Sequence, residues 1–165
     1  MKFLLFLLTL FTLNLQAQEK KIVDFLNKDL RWEVKNQFEN SERIERYDTL
    51  VVVEPFRIKD RVLSITTKRR QTLISEDGSY TETYVLAKQE VALDKITELT
   101  KDINVIFVTQ PGAVKISENG TETSTDNLFF LQLCCSPKYS EIWAKELLTL
   151  FKKAGYSIKM DSWYD

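Results

Sequence analysis

Two adjacent cysteines, Cys134 and Cys135, are the only thiols in this 165-residue chain, and histidine is absent altogether. Without an imidazole there is no Ser-His-Asp or Cys-His nucleophile system, no histidine-bearing zinc site and no haem held by histidine. Two thiolates with no further Cys or His make a poor metal site, so the pair reads as structural. A bond between neighbouring cysteines closes an eight-membered ring, which fits poorly in a strand whose adjacent side chains point to opposite faces. The expectation is therefore two free thiols on a strand from Leu128 to Cys135. Cys135 would share the buried side with Phe129, Leu131 and Leu133, and Cys134 the other. An oxidised pair would replace this structural reading with a redox-responsive or strained-turn one.

Basic residues offer a second chemistry. Arg57, Lys59 and Arg61 alternate around an expected hairpin, and Lys68-Arg69-Arg70 follows on the next strand. Such spacing suits a weak anion site, although alternating basic residues are also the ordinary outer surface of a two-faced sheet. The carboxylates Glu82, Glu90, Asp94 and Glu98 show no recognisable acid-base spacing for carboxylate-only hydrolysis. Phosphate-cradling and calcium loops are missing, and four glycines leave little material for them. The chain is thus read as non-enzymatic, with no cofactor and no metal. Asn119-Gly120-Thr121 matches a glycosylation sequon, but Asn-Gly is equally a turn dipeptide.

The address is the most legible part. Lys2 precedes an apolar run from Phe3, and a polar stretch closes on Gln16-Ala17-Gln18, the pattern of an export signal over residues 1–17. Its apolar core of about 13 residues is short of the roughly 20 that cross a bilayer. No cysteine stands at the cleavage point for lipid attachment, so a periplasmic or secreted chain without a stable membrane anchor is expected. Removing the signal leaves 148 residues, 18–165, one domain by size. The signal carries one of 23 basic residues and none of the 24 acidic ones, which leaves 22 against 24, a net charge of −2. Nucleic-acid binding, which draws its affinity from a basic excess, is not expected.

The elements that must position these residues follow from periodicity. Ile22, Leu26, Leu30, Val34 and Phe38 recur every four residues, with Phe25 beside them, which predicts a helix to about residue 30. Beyond it Leu30, Trp32 and Val34 also alternate, so helix and strand compete there. From Tyr47 the texture is β: Thr49 to Lys59 interrupted at Pro55, residues 61–75, a turn at Glu76-Asp77-Gly78-Ser79, and Tyr80 to Ala87. Residues 90–99 fit a short helix or a bulged strand. Ile103 to Thr109, Ala113 to Ser117 and Leu128 to Cys135 complete the strands, with Thr121 to Asn127 a polar connection. Ser140-Glu141 opens a helix with Ile142, Trp143, Leu147, Leu150 and Phe151 at helical spacing, and Ala154-Gly155 stops it. Tyr156 to Asp165 adds at most a short edge strand.

The fold class is α+β, with about seven antiparallel strands closed by a C-terminal helix and preceded by an extra N-terminal one. This order resembles the pleckstrin-homology-like superfold, a bent sandwich or partly open barrel whose last helix plugs one end, over roughly residues 47–154. The resemblance is of element order, with no sequence motif behind it. It implies that the basic residues around the first hairpin, Arg57, Lys59 and Arg61, stand where phosphoinositide-binding members carry theirs. An export signal argues against that ligand, which faces the cytosol. The functional expectation is an exported binding or interaction domain whose partner is a protein or peptide, taken at a sheet edge or in the groove beside the C-terminal helix. The alternative is a small-molecule or lipid carrier using a barrel cavity.

Overall fold

A computed structural model describes residues 2–37, 49–74 and 78–164, with side chains outside residues 2–15, 70–74 and 80. The N-terminal helix α1 spans Lys2–Asn36, so the expected signal and the expected amphipathic helix form one continuous rod. It passes residue 30 because its far end is held on both sides. Asn36 and Gln37 side chains donate to the carbonyls of Trp32 and Val34, and Gln37 also exchanges hydrogen bonds with the backbone of Leu50. Phe38 and Tyr47 lie outside the described residues. Among the described residues no helix is long and apolar enough to cross a membrane.

The strands are β1 Val51–Lys59, β2 Val62–Ile74, β3 Tyr80–Ala92, β4 Ile96–Lys101, β5 Val105–Thr109, β6 Val114–Glu118, β7 Thr121–Asp126, β8 Leu128–Phe130 and β9 Lys159–Trp163. They form two sheets, ordered β1-β2-β3-β6-β7 and β8-β5-β4-β9, antiparallel throughout except for the β4–β9 pair. Among the described residues nine strands stand where about seven were expected, and the two sheets do not close into a barrel. Pro55 does not divide β1, since it falls within the register shift between Glu54 and Arg57, where the ladder with β2 is already interrupted. A 3-10 turn at Leu93–Lys95 separates β3 from β4, resolving the ambiguity of residues 90–99. Of the expected 76–79 turn, Glu76 and Asp77 lie outside the described residues, while Gly78 takes the positive φ of 79° that a turn demands.

The core fills the space between the sheets and the C-terminal helix α2, Glu141–Lys153. Phe129 stands between Phe56 and Phe107, each with its ring centroid 6.5 Å away, and Phe151 meets Phe107 edge-on at 5.3 Å. Trp143, Ala144, Leu147 and Phe151 form the buried stripe of α2. Its charges suit its dipole, with Glu141 in the first turn and Lys152 and Lys153 in the last. Gly155 at φ 85° ends it, the Tyr156 amide donating back to the Phe151 carbonyl.

Candidate functional site

The buried face of α1 is not purely apolar. Glu19, Asp29, Glu33 and Gln37 lie on it beside Ile22, Leu26 and Leu30, and all are buried. A carboxylate removed from water must be given strong partners, and each has them. Tyr156 donates its hydroxyl to Glu19 at 2.9 Å. Asp29 accepts from Lys138 Nζ at 2.5 Å with one oxygen and from the Trp143 indole at 2.6 Å with the other. Lys138 also stands over the rings of Trp32 and Tyr139.

Glu33, one turn beyond Asp29 and 1 % exposed, reaches the two cysteines. Its Oε1 accepts the backbone N–H of Cys134 at 3.3 Å and of Cys135 at 3.1 Å. The pair lies on the connection between β8 and α2 rather than on a strand. The regular strand stops at Phe130, Gln132 adopts φ 55°, and from there the alternation expected to separate the two side chains no longer holds. Cys134 and Cys135 are joined in a disulfide, not held as two thiols, and both are half-buried, so the expected burial contrast is absent. Oε2 of Glu33 lies 3.8 Å from Cys134 Sγ. A disulfide sulfur carries no hydrogen, so in this state the contact is not a hydrogen bond. Glu33, Cys134 and Cys135 bring a carboxylate oxygen and two sulfurs within 4.8 Å of one another, but bonded sulfurs are not thiolates and make no metal centre.

Cys134 also borders a groove of about 530 Å³ between the two sheets. Lys68, Gln89, Phe130 and Gln132 line it as well, a mixed polar and apolar wall. Gln89 is fixed there by accepting the Phe130 backbone N–H at 3.1 Å. A second cleft, of about 490 Å³, lies between α1 and α2 and is walled by Phe25, Ile142 and Leu150 with Lys145, Glu146 and Thr149. Ile142 is 70 % exposed there.

Arg57 and Lys59 sit together on β1 and line a third cleft of about 400 Å³, where Glu19, Lys20 and Asp60 contribute charges of both signs. Arg57 is engaged by Glu54 at 3.5 Å and by the Ser64 hydroxyl at 3.2 Å. Arg61 forms the turn with Asp60, both at positive φ, and it is not part of that lining. Glu82 and Glu90 lie on β3, Asp94 in the 3-10 turn and Glu98 on β4, and Glu90 pairs with Lys88 at 2.6 Å. Asn119 and Gly120 form the β6–β7 turn, both at positive φ, and the Asn119 amide oxygen accepts the Leu86 N–H at 3.0 Å.

Asp29 and Glu33 were not among the residues expected from sequence to matter. Their signal was present: acids one turn apart, adjoining the apolar stripe of a helix, where a solvated charge is out of place.

No family model matches this chain, nor does any curated protein or any solved structure.

Proposed function

We propose that the protein is an exported, non-enzymatic binding domain of pleckstrin-homology-like bent-sandwich architecture, and that it takes the apolar face of a partner peptide between α1 and α2. The observation that carries this reading is Ile142, a large aliphatic side chain 70 % exposed on the wall of a cleft it shares with Phe25 and Leu150. Two helices side by side with an aromatic and aliphatic floor are the usual receptor for a row of apolar anchors. The architectural reading rests on an antiparallel sandwich followed by a helix that packs Phe151 against Phe107. Export rests on the pattern of residues 1–17. It agrees with the exposure of Gln16 and Ala17, the residues beside the expected cut.

Capture from exported material tests both parts. The intact mass should correspond to a chain starting at or near Gln18, and a mass retaining the apolar segment would refute export. The wild-type chain should capture a partner that Ile142→Glu, with unchanged thermal stability, does not. A wild-type chain that stays alone at native concentration, or a partner kept by the variant, would overturn the cleft reading.

A second reading is favoured by the inter-sheet groove, whose volume of about 530 Å³ and mixed lining suit a small ligand. Such a carrier would use this groove rather than a barrel interior. Native mass spectrometry of the purified protein tests it, since a bound molecule shifts the mass.

A further inference from the structure

We propose that the Cys134–Cys135 disulfide is a thiol-exchange site, attacked at Cys134 by a small thiol entering the inter-sheet groove, with the Glu33 carboxylate restraining the reaction. The proposal uses the groove as a route of access and is independent of a partner in the helix cleft.

Direction of attack follows from placement. Cys134 borders the groove and Cys135 does not. Glu33 is buried on α1 and fixed against the pair by the two backbone N–H groups it accepts, so an incoming thiolate meets Cys134 from the groove. In the first step the thiolate sulfur bonds to Cys134 Sγ, the Cys134–Cys135 bond breaks, and its electron pair leaves on Cys135 as thiolate. A second molecule of the small thiol then attacks the sulfur of the first, releasing the small-molecule disulfide and leaving Cys134 as thiolate. Two protons from the two thiols complete the dithiol. The protein gains two electrons, and two small thiols lose them.

Glu33 enters through its charge. Its Oε2 stands 3.8 Å from the sulfur under attack, in a site closed to water on the α1 side. A carboxylate there opposes the approach of an anionic sulfur and the build-up of negative charge on the pair. Once Cys134 is a thiol, the same oxygen is placed to accept its S–H. Glu33→Gln keeps a carbonyl oxygen for the two backbone donors, removes the charge and turns an NH2 group toward the sulfur in place of Oε2.

The test uses the mature protein with both cysteines, exposed to excess glutathione and quenched with acid at intervals, free thiols then being alkylated. Peptide mapping should place glutathione on Cys134 and the alkyl group on Cys135. Glu33→Gln should react faster by about tenfold, the factor that corresponds to one pKa unit of charge interaction. Glutathione found first on Cys135, or a Glu33→Gln rate equal to or below wild type, would overturn the proposal. So would alkylation of both cysteines in the unfolded protein before any reductant is added. If Glu33→Gln does not fold, the position of the adduct on the wild-type protein still decides the direction of attack.

Discussion

A carboxylate kept from water needs donors on both oxygens, and Asp29 has one from a cation and one from an indole. Removing it leaves the Trp143 N–H without its acceptor in a buried setting and Lys138 without its counter-ion. Asp29→Ala should therefore lower unfolding free energy by about 3 kcal/mol, the low end for breaking a buried pair, because Lys138 keeps contact with solvent. Urea denaturation measures it, and a loss well under 1 kcal/mol, the range of exposed pairs, would show that water replaces the carboxylate. At this scale the sequence revealed residue types but not pairings. The apolar recurrence at Ile22, Leu26 and Leu30 was readable, and so was the absence of histidine. That Glu33 answers to the amides of Cys134 and Cys135 was not, because those partners lie 101 and 102 residues away and no local pattern reports them.

Elements were legible where one face is apolar and the other polar, as in α2. They were misjudged where that contrast fails. Thr121–Asp126 is exposed on nearly every residue and so read as a connection, yet its alternate threonines are β-formers and β6 supplies the ladder. Leu128 to Cys135 erred the other way. Its composition is that of a strand, but a left-handed backbone at Gln132 ends the regular pleat, a tertiary outcome that hydropathy does not encode. The β6–β7 turn illustrates backbone chemistry that the sequence did reveal. Asn119 holds φ 51° and ties its side chain to β3 through Leu86. Asn119→Ala should cost about 1–2 kcal/mol, the penalty for an ordinary residue in the left-handed region, and Asn119→Gly clearly less. Equal losses in the two variants, read by chemical denaturation, would assign the effect to the hydrogen bond instead.

For the whole molecule, α1 is the strut on which separate segments converge. It holds Tyr156 through Glu19, the edge strand β1 through Asn27 and the backbone of Phe56, the cysteine connection through Glu33, and Leu50 through Gln37. One of these ties is sensitive to alkali. Burial and the neighbouring Glu19 push the Tyr156 hydroxyl up from its ordinary 10.0 to about 12. The folded state therefore keeps this proton after the unfolded chain has lost its own. The contribution is complete below about pH 10 and is lost as pH rises through about 12. Melting temperature should fall more steeply over that interval in the wild-type protein than in Tyr156→Phe. Parallel curves would mean that the phenol is as free in the folded state as in the unfolded one.

The distances along the chain that these ties span carry a consequence for timing. Asp29 waits for residues 109 and 114 positions downstream, and Glu19 for one 137 positions on. Closing loops of that length is slow beside forming the helix itself, so α1 can be helical and tied to β1 and Leu50 early, while Glu19, Asp29 and Glu33 have no partners until almost the entire chain is available. Under the export proposed above, a chain threaded through a translocation channel in extended form would gain from this arrangement. While the C-terminal segment of such a chain stayed on the near side of the membrane, Asp29 and Glu19 would lack Lys138, Trp143 and Tyr156, and full tertiary closure would coincide with release.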